Sequence, residues 1–328
     1  MSEVPLPSLN AAFTALRSAG LRPRRDHPLR RRGWWRLGGP ADLFIEVSTA
    51  EHLSLVLQQG LPVTVLGNGS NLLVADAGVR GIVVKLGGEF RTTTLVQGPD
   101  GAEVVAGAGL GNPVLLKRLE ALECSGLGCL AGVPGTVGGA IRMNAGTHLG
   151  EIGDRVRQVE VVLDNGQRAI LPAADLRFSY RRAHLPPRAI VTRAWLRVEN
   201  DRTRVEAQRQ AVLHHLERRQ ATQPLEQPSC GSTFKNPPGD AAGRLIDACG
   251  LKGTRIGGAQ VSEKHANFFI NTGDATAADV YALILRTRQV VFEQHGVVLE
   301  PEVHAIGDWP PGAWPLPAPT TSGLHRTD

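Results

Sequence analysis

Ala131-Gly132-Val133-Pro134-Gly135-Thr136-Val137-Gly138-Gly139-Ala140 is the stretch whose reading governs this chain, and Leu66-Gly67-Asn68-Gly69-Ser70-Asn71-Leu72 is its upstream counterpart. Both clusters fall after strands. Glycine admits φ > 0 and lets backbone N–H groups approach an anion closely, which is how nests and helix N-termini hold phosphates. Two such loops suggest a diphosphate held from two sides, although each alone is equally well read as a tight turn. A third cluster, Gly107-Ala108-Gly109-Leu110-Gly111-Asn112, lies between a strand and a helix. It fails as a dinucleotide fingerprint because its sixth position is Asn and no acidic residue ends a strand about 20 positions on. The Gly67 loop fails likewise with Leu72 in sixth place, and no Gly-Lys-Ser/Thr of a Walker A loop occurs. A nucleotide bound here is held in another way.

Around these loops strands and helices alternate. Ser8 caps a predicted helix carrying Leu9, Phe13 and Leu16 and closing near Gly20, and the segment from there to Leu29 reads as variable linker. Strands are predicted at Leu43 to Val47, Val63 to Leu66, Ile82 to Leu86, Glu103 to Ala106, Val156 to Leu163 and Ile190 to Val198. Helices are predicted from Ala50 to Gly60 and after Gly111, with Pro113 in the first turn. Near Asn200 the texture changes to a long charged helix, Val205 to Gln220, and a proline-punctuated loop, Gln223 to Pro237, which marks a boundary. Beyond it come a helix Ala241 to Cys249, a strand Asn267 to Asn271, a helix Ala275 to His295 stopped by Gly296, and a strand Val297 to Ile306. The expected class is α+β, mixed α/β with short elements. The proline-rich tail from Asp308 is expected to be disordered.

Composition narrows the function. Hydrophobic residues are 42% and charged residues 20% of 328, the profile of an ordinary globular chain. The 38 glycines exceed the usual share of about 7%, so many positions need a backbone without a Cβ. A net charge of +5 suits an anionic small molecule as well as nucleic acid. Cys124, Cys129, Cys230 and Cys249 form no CxxC pair and have no His at zinc spacing, so neither a metal site nor a disulfide framework is expected. No apolar run reaches 18 residues, which excludes a membrane helix. Arg22 to Arg36 leads into Leu37-Gly-Gly-Pro40 and not into an apolar segment, so no signal peptide is read there and a cytoplasmic location is expected.

Six segments in order resemble one family, UDP-N-acetylenolpyruvoylglucosamine reductase. They are Leu37-Gly38-Gly39-Pro40-Ala41, Gly67 to Leu73, Gly132 to Ala140 with Met143-Asn144-Ala145-Gly146, Tyr180-Arg181, Pro228-Ser229-Cys230-Gly231-Ser232-Thr233-Phe234-Lys235-Asn236-Pro237, and Leu299-Glu300-Pro301-Glu302-Val303. Each is weak alone, and the ordered set is highly specific. The direct run from Arg181 to the next strand resembles the shorter type, which lacks a tyrosine-bearing insertion. Trp34-Trp35, Gly128-Cys129 and Arg182-Ala183 depart from the family's usual residues.

The resemblance implies a vanillyl-alcohol-oxidase-type FAD-binding domain over 29–199, in subdomains of about 29–86 and 87–199. It also implies a substrate-binding domain over 200–307, between a variable segment 1–28 and the tail 308–328. The implied reaction is NADPH-dependent: reduced FAD passes hydride to the enolpyruvyl ether of UDP-N-acetylglucosamine, giving UDP-N-acetylmuramate for peptidoglycan. Gly67, Asn68, Gly69, Ser70, Asn71, Leu72, Pro134, Gly135, Thr136, Gly138, Gly139 and Asn144 are the implied cofactor-binding positions. Arg181, Ser232 and Glu302 match the catalytic positions, and Tyr180, Asn236, Lys252 and His265 the substrate-binding ones. No metal, nucleic acid or membrane partner is implied, and a monomer is expected.

Without the resemblance these residues read differently. Ser232 would be a turn serine in a Gly/Pro-rich loop, Arg181 a solvated charge, Glu302 an exposed or ion-paired carboxylate, and His265 a half-buried hydrogen-bonded histidine. Two rivals remain. A flavin oxidase of a 2-hydroxy acid or sugar alcohol would explain the glycine loops but not the Ser232 loop or Glu302. A basic nucleic-acid-binding protein would use Arg22 to Arg36 with stacking aromatics, of which only Trp34-Trp35 are present.

Overall fold

Capping chemistry starts the helices where their sequences say. Ser8 Oγ accepts from Ala11 N at 3.1 Å. Thr276 and Asp279 form a reciprocal capping box, and Gly296 closes the same helix at φ +68, a left-handed conformation that glycine adopts without a Cβ penalty. The computed structural model describes residues 8–99 and 101–319. The first elements are α1 (Leu9–Ser18), β1 (Arg24–Pro28), β2 (Pro40–Val47), α2 (Ala50–Leu57), β3 (Val63–Val65), β4 (Leu72–Val74) and β5 (Val79–Leu86). There follow β6 (Thr93–Gly98), β7 (Gly101–Gly107), α3 (Asn112–Ala121), α4 (Val137–Arg142), β8 (Gly146–Thr147), β9 (Gly150–Glu151), β10 (Val156–Val162), β11 (Arg168–Pro172), β12 (Ile190–Arg197) and α5 (Arg202–Thr222). The last described elements are β13 (Ser229–Ser232), α6 (Ala242–Ala248), β14 (Arg255–Ile256), β15 (Ala259–Val261), β16 (Phe268–Asn271), α7 (Ala277–His295) and β17 (His304–Ile306).

By its internal contacts the chain divides into two units, and the division does not follow the chain linearly. The first takes the chain up to His27, Asp42–Asn68 and Gly81–Arg218. Its larger sheet has strand order β11-β10-β12-β7-β6 and is antiparallel, with Val159 opposite both Leu171 and Ala194. A second sheet has order β1-β2-β5-β3, with β3 and β5 parallel and Thr64 opposite Val83. Apolar faces of both sheets share one core with α2, α3 and α4, through Leu43, Ile45, Leu53, Val84, Val104, Leu115, Ile141, Val161 and Leu196. Each such side chain contributes about 1.5–3 kcal/mol by leaving water.

The second unit takes Pro28–Ala41, Gly69–Arg80 and the chain from Arg219 onward. Its sheet has order β13-β16-β15-β14, and α6 and α7 bury Leu245, Ile246, Val280, Leu283 and Ile284 in the same core as Val261 and Phe269. The two early segments belong here for specific reasons. Trp35 is 1% exposed, its Nε1–H donates to Phe269 O at 2.7 Å, and its carbonyl accepts from Asn271 Nδ2 at 2.8 Å. Leu73 of β4 lies opposite Ala305 of β17 in a parallel pair.

Three expectations are corrected. Residues 24–28, read as linker, form β1. The closing strand is only His304–Ile306, because Leu299 O is taken by the Arg288 guanidinium at 2.8 Å and Pro301 bridges to Phe234. The segment from Asp308 is ordered through Pro319: Trp309 and Trp314 pack with Tyr281 at ring distances of 5.6 and 5.8 Å, and Arg288 Nη1 donates to Pro317 O at 2.8 Å. Two tryptophans over an α7 tyrosine supply apolar contact that the proline content alone concealed. The rest of the expected tail, 320–328, lies outside the described residues.

Candidate functional site

In the first unit the glycine loops meet through backbone. Asn68 Nδ2 donates to Gly135 O at 3.0 Å, and Asn112 N donates to the same carbonyl at 3.0 Å. Val137 N donates to Leu110 O at 2.9 Å and Gly138 N to Ala108 O at 2.8 Å, so the loop at Gly107 to Gly111 is the third wall. A Cβ on Gly67 would lie 2.9 Å from Thr136 Oγ1, and one on Gly138 would lie 2.9 Å from the Ala108 Cβ. The N–H groups of Gly67, Asn68, Gly135 and Thr136 donate to no protein acceptor among the described residues. Open backbone donors in glycine-rich loops, with no carboxylate among them, fit the diphosphate of a dinucleotide.

Asn144, another of the expected cofactor-binding positions, has its side chain engaged within the protein. It is 1% exposed at φ +42, and its amide is spent inside the protein. Nδ2 donates to Ser179 O at 3.1 Å and to the Glu151 carboxylate, and Oδ1 accepts from Gly153 N at 3.0 Å. It thereby supports the tight turn in which Ser179 and Arg182 exchange backbone hydrogen bonds. Tyr180 and Arg181 form the tip of that turn. Arg181 holds φ +58, an uncommon conformation for a side chain with a Cβ, and its guanidinium lies 4.9 Å from the Tyr180 ring centre.

In the second unit the Ser232 loop and the Glu302 segment are joined along their backbones. Glu302 N donates to Thr233 O at 2.8 Å, and Lys235 N donates to Glu300 O at 2.9 Å. The Lys235 ammonium also pairs with the Glu300 carboxylate. Asn71 Nδ2 donates to Glu302 O at 3.0 Å, and Gly69 O and Leu72 O lie 3.7 and 3.6 Å from the Cys230 thiol. Burial pushes that thiol up to about 12, so it stays protonated and is no nucleophile. Gly69, at φ +62, has no room for a Cβ: Arg32 O would be 2.4 Å away.

The remaining expected positions lie in this unit too. Asn236 Oδ1 accepts from Ala242 N at 3.1 Å and caps α6. Lys252 is exposed and pairs with Asp247 at 2.8 Å. His265 packs on Phe268 with ring centres 4.8 Å apart, and its Nδ1 accepts from Asn267 N at 3.2 Å. That bond puts the neutral ring's proton on Nε2. Burial, and then Lys252, push His265 below its ordinary value. The expected residues are therefore carried in two groups, with Tyr180 and Arg181 in the first unit and Ser232, Asn236, Lys252, His265 and Glu302 in the second. Asn267 and the Lys235–Glu300 pair were not anticipated, since only the fold shows which backbone an amide or ammonium meets. Among the described residues no cluster of His, Cys, Asp or Glu could hold a metal, and no helix is long and apolar enough to cross a membrane.

Comparison with known proteins gives this geometry a setting. Residues 41–171 match an FAD binding domain, and residues 223–306 match the C-terminal domain of UDP-N-acetylenolpyruvoylglucosamine reductase. The reductase of Moorella thermoacetica is 47% identical over 287 residues, covering 86% of this chain and 93% of the relative. That of Anaeromyxobacter dehalogenans is 46% identical over 291 residues, covering 88% and 86%. The crystal structure of the Thermus caldophilus reductase aligns with a TM-score of 0.76 at 40% identity, over 87% of this chain and 99% of that one.

Proposed function

This chain belongs to the UDP-N-acetylenolpyruvoylglucosamine reductase family, an oxidoreductase with an FAD-binding domain that reduces the enolpyruvyl sugar nucleotide for peptidoglycan, and from that premise we propose how its residues divide the work. The electron source is NADPH and the product UDP-N-acetylmuramate, formed in the cytoplasm by a monomer. Hydride would reach the terminal vinyl carbon of the ether from NADPH by way of bound FAD. The glycine loops at Gly67 to Leu72 and Pro134 to Gly139 hold its diphosphate.

Hydride arrival leaves negative charge on the adjacent carbon and its carboxylate. Arg181 clamps that carboxylate with a fixed cation, and Glu302 orients it, since preorganised groups stabilise developing charge without reorganising. Ser232 donates the proton that completes the saturated ether, so hydride and proton together add across the double bond. A serine hydroxyl is a poor acid, and the Lys235 ammonium three residues on, leaving its Glu300 partner, supplies the compensating positive charge. Asn236, Lys252, Tyr180 and the Nε2–H of His265 hold the UDP-sugar, with Lys252 leaving Asp247 for the diphosphate.

The observation that carries this reading is the backbone pairing of the Ser232 loop with the segment of Glu302, in which Glu302 N meets Thr233 O at 2.8 Å. It sets two of the three proposed catalytic groups on adjoining backbone segments, Ser232 at the end of β13 and Glu302 just before β17. Two half-reactions test it. The purified protein should be yellow, and NADPH should bleach its flavin with or without the enolpyruvyl ether, which alone should restore the colour. Ser232→Ala should slow recolouring by about 10²-fold or more, the usual scale for a general acid, while bleaching by NADPH stays near its parent rate. Equal loss in both steps would make Ser232 structural, and a flavin that the ether never reoxidises would overturn the substrate.

A further inference from the structure

We infer that Asn267 is a positioning residue for Ser232, an assignment that rests on the proton-donor role proposed above. Strand β13 ends at Ser232, opposite Phe268 of β16. Continuing that antiparallel ladder would set Phe234 against Ala266, but β16 begins only at Phe268. The Asn267 side chain fills the missing rung. Its Oδ1 accepts from Phe234 N at 2.9 Å, its Nδ2 donates to Phe234 O at 2.8 Å, and its main-chain carbonyl accepts from Thr233 N at 2.8 Å. Asn267 is 3% exposed and Phe234 1%.

Three bonds from one residue therefore fix the backbone of the two residues that follow Ser232. On the far side, Thr233 O and Lys235 N are tied to Glu302 and Glu300. The loop is gripped along both edges, and the Asn267 carboxamide offers both the acceptor and the donor that a peptide's N–H and C=O need. The same residue's N–H holds His265 Nδ1 at 3.2 Å, so the proposed acid and a proposed substrate donor are referenced to one point of the sheet. A proton donor must lie within hydrogen-bond reach of the atom it protonates, and a misplacement of about 1 Å can cost on the order of 10²-fold in rate.

The test uses the FAD-loaded full chain and variants Asn267→Leu and Asn267→Asp. Leu removes both amide bonds at similar size; Asp keeps the acceptor for Phe234 N and loses the donor to Phe234 O. Rapid mixing should show recolouring by the ether slowed by about tenfold to a hundredfold, with bleaching by NADPH and flavin content within about twofold of the parent. The solvent deuterium isotope effect on recolouring should rise in the variants, because proton delivery becomes the slow step. Recolouring at the parental rate in either folded variant, or equal loss in both half-reactions with an unchanged isotope effect, would overturn the assignment. Ser232→Ala run alongside separates the two claims: if it recolours normally the proton-donor reading itself fails, and if it is slow while both Asn267 variants are normal only the positioning role fails.

Discussion

At the scale of single residues the chemistry of His265 has a consequence for pH. Burial and Lys252 favour its neutral form, and the bond from Asn267 N to Nδ1 is lost if that nitrogen is protonated. In the unfolded chain the ring titrates near 6.5. Between its depressed folded value and that figure the unfolded chain binds more protons, so stability rises with pH across the window. The contribution is complete above about pH 6.5 and is lost as pH falls toward the folded value. Thermal midpoints of the parent should therefore fall on acidification below about pH 6.5 more steeply than those of His265→Gln. Parallel curves for the two proteins would show that His265 titrates alike in both states. Ser232 and Glu302 were legible as candidates because each sits in a motif of several residues, and Arg181 because the pair Tyr180-Arg181 falls in order among them. Asn267 was not, because what an asparagine does depends on which backbone lies across from it. The use of Asn144 as a turn support was hidden for the same reason.

At the scale of elements the N-terminus of α7 carries more than its own capping box. Asp76 accepts from Ala277 N through Oδ1 at 2.8 Å and from Ala278 N through Oδ2 at 2.9 Å, taking two of the donors that the first turn leaves open. Its charge also meets the positive end of the helix dipole. Asp76→Ala should cost about 1–2 kcal/mol, the upper range for a lost cap, and Asp76→Asn less, since the amide oxygen still accepts one bond. Urea unfolding measures the loss, and hydrogen exchange in the first turn of α7 should accelerate with it. A change within a few tenths of a kcal/mol for the alanine variant would mean that Thr276 and Asp279 suffice. Such a cap joins residues 201 positions apart, and no local pattern announces it. Long periodic helices and buried strands were read from sequence nearly to their ends, as α5, α7 and β12 show. Edge strands were not: β1 is Arg-Arg-Asp-His-Pro with four of five residues exposed, and β11 alternates between exposed and half-buried. An edge strand pairs on one side and needs no continuous apolar face, so its sequence carries little signal.

At the scale of the whole molecule, family likeness and folding unit have different boundaries. The C-terminal family match spans 223–306, but the second unit also takes Pro28–Ala41 and Gly69–Arg80. Those segments give its core Trp35, Leu37 and Leu73, give β17 its β4 partner, and give the N-terminus of α7 its Asp76 cap. Burial of the three apolar side chains contributes about 1.5–3 kcal/mol each, and the two Trp35 hydrogen bonds about 1 kcal/mol each. Together these approach the whole stability of a typical domain, about 5–15 kcal/mol. A fragment of residues 219–319 should therefore fail to reach a native fold on its own. Its circular dichroism should retain helix from α7 while its near-ultraviolet signal is lost, it should bind a hydrophobic dye, and it should show no cooperative thermal transition. Chain 8–319, which keeps all three segments and the first unit's α1 and β1, should melt cooperatively under the same conditions. A sharp transition with dispersed amide resonances in fragment 219–319 would show that the early segments decorate a core already complete without them.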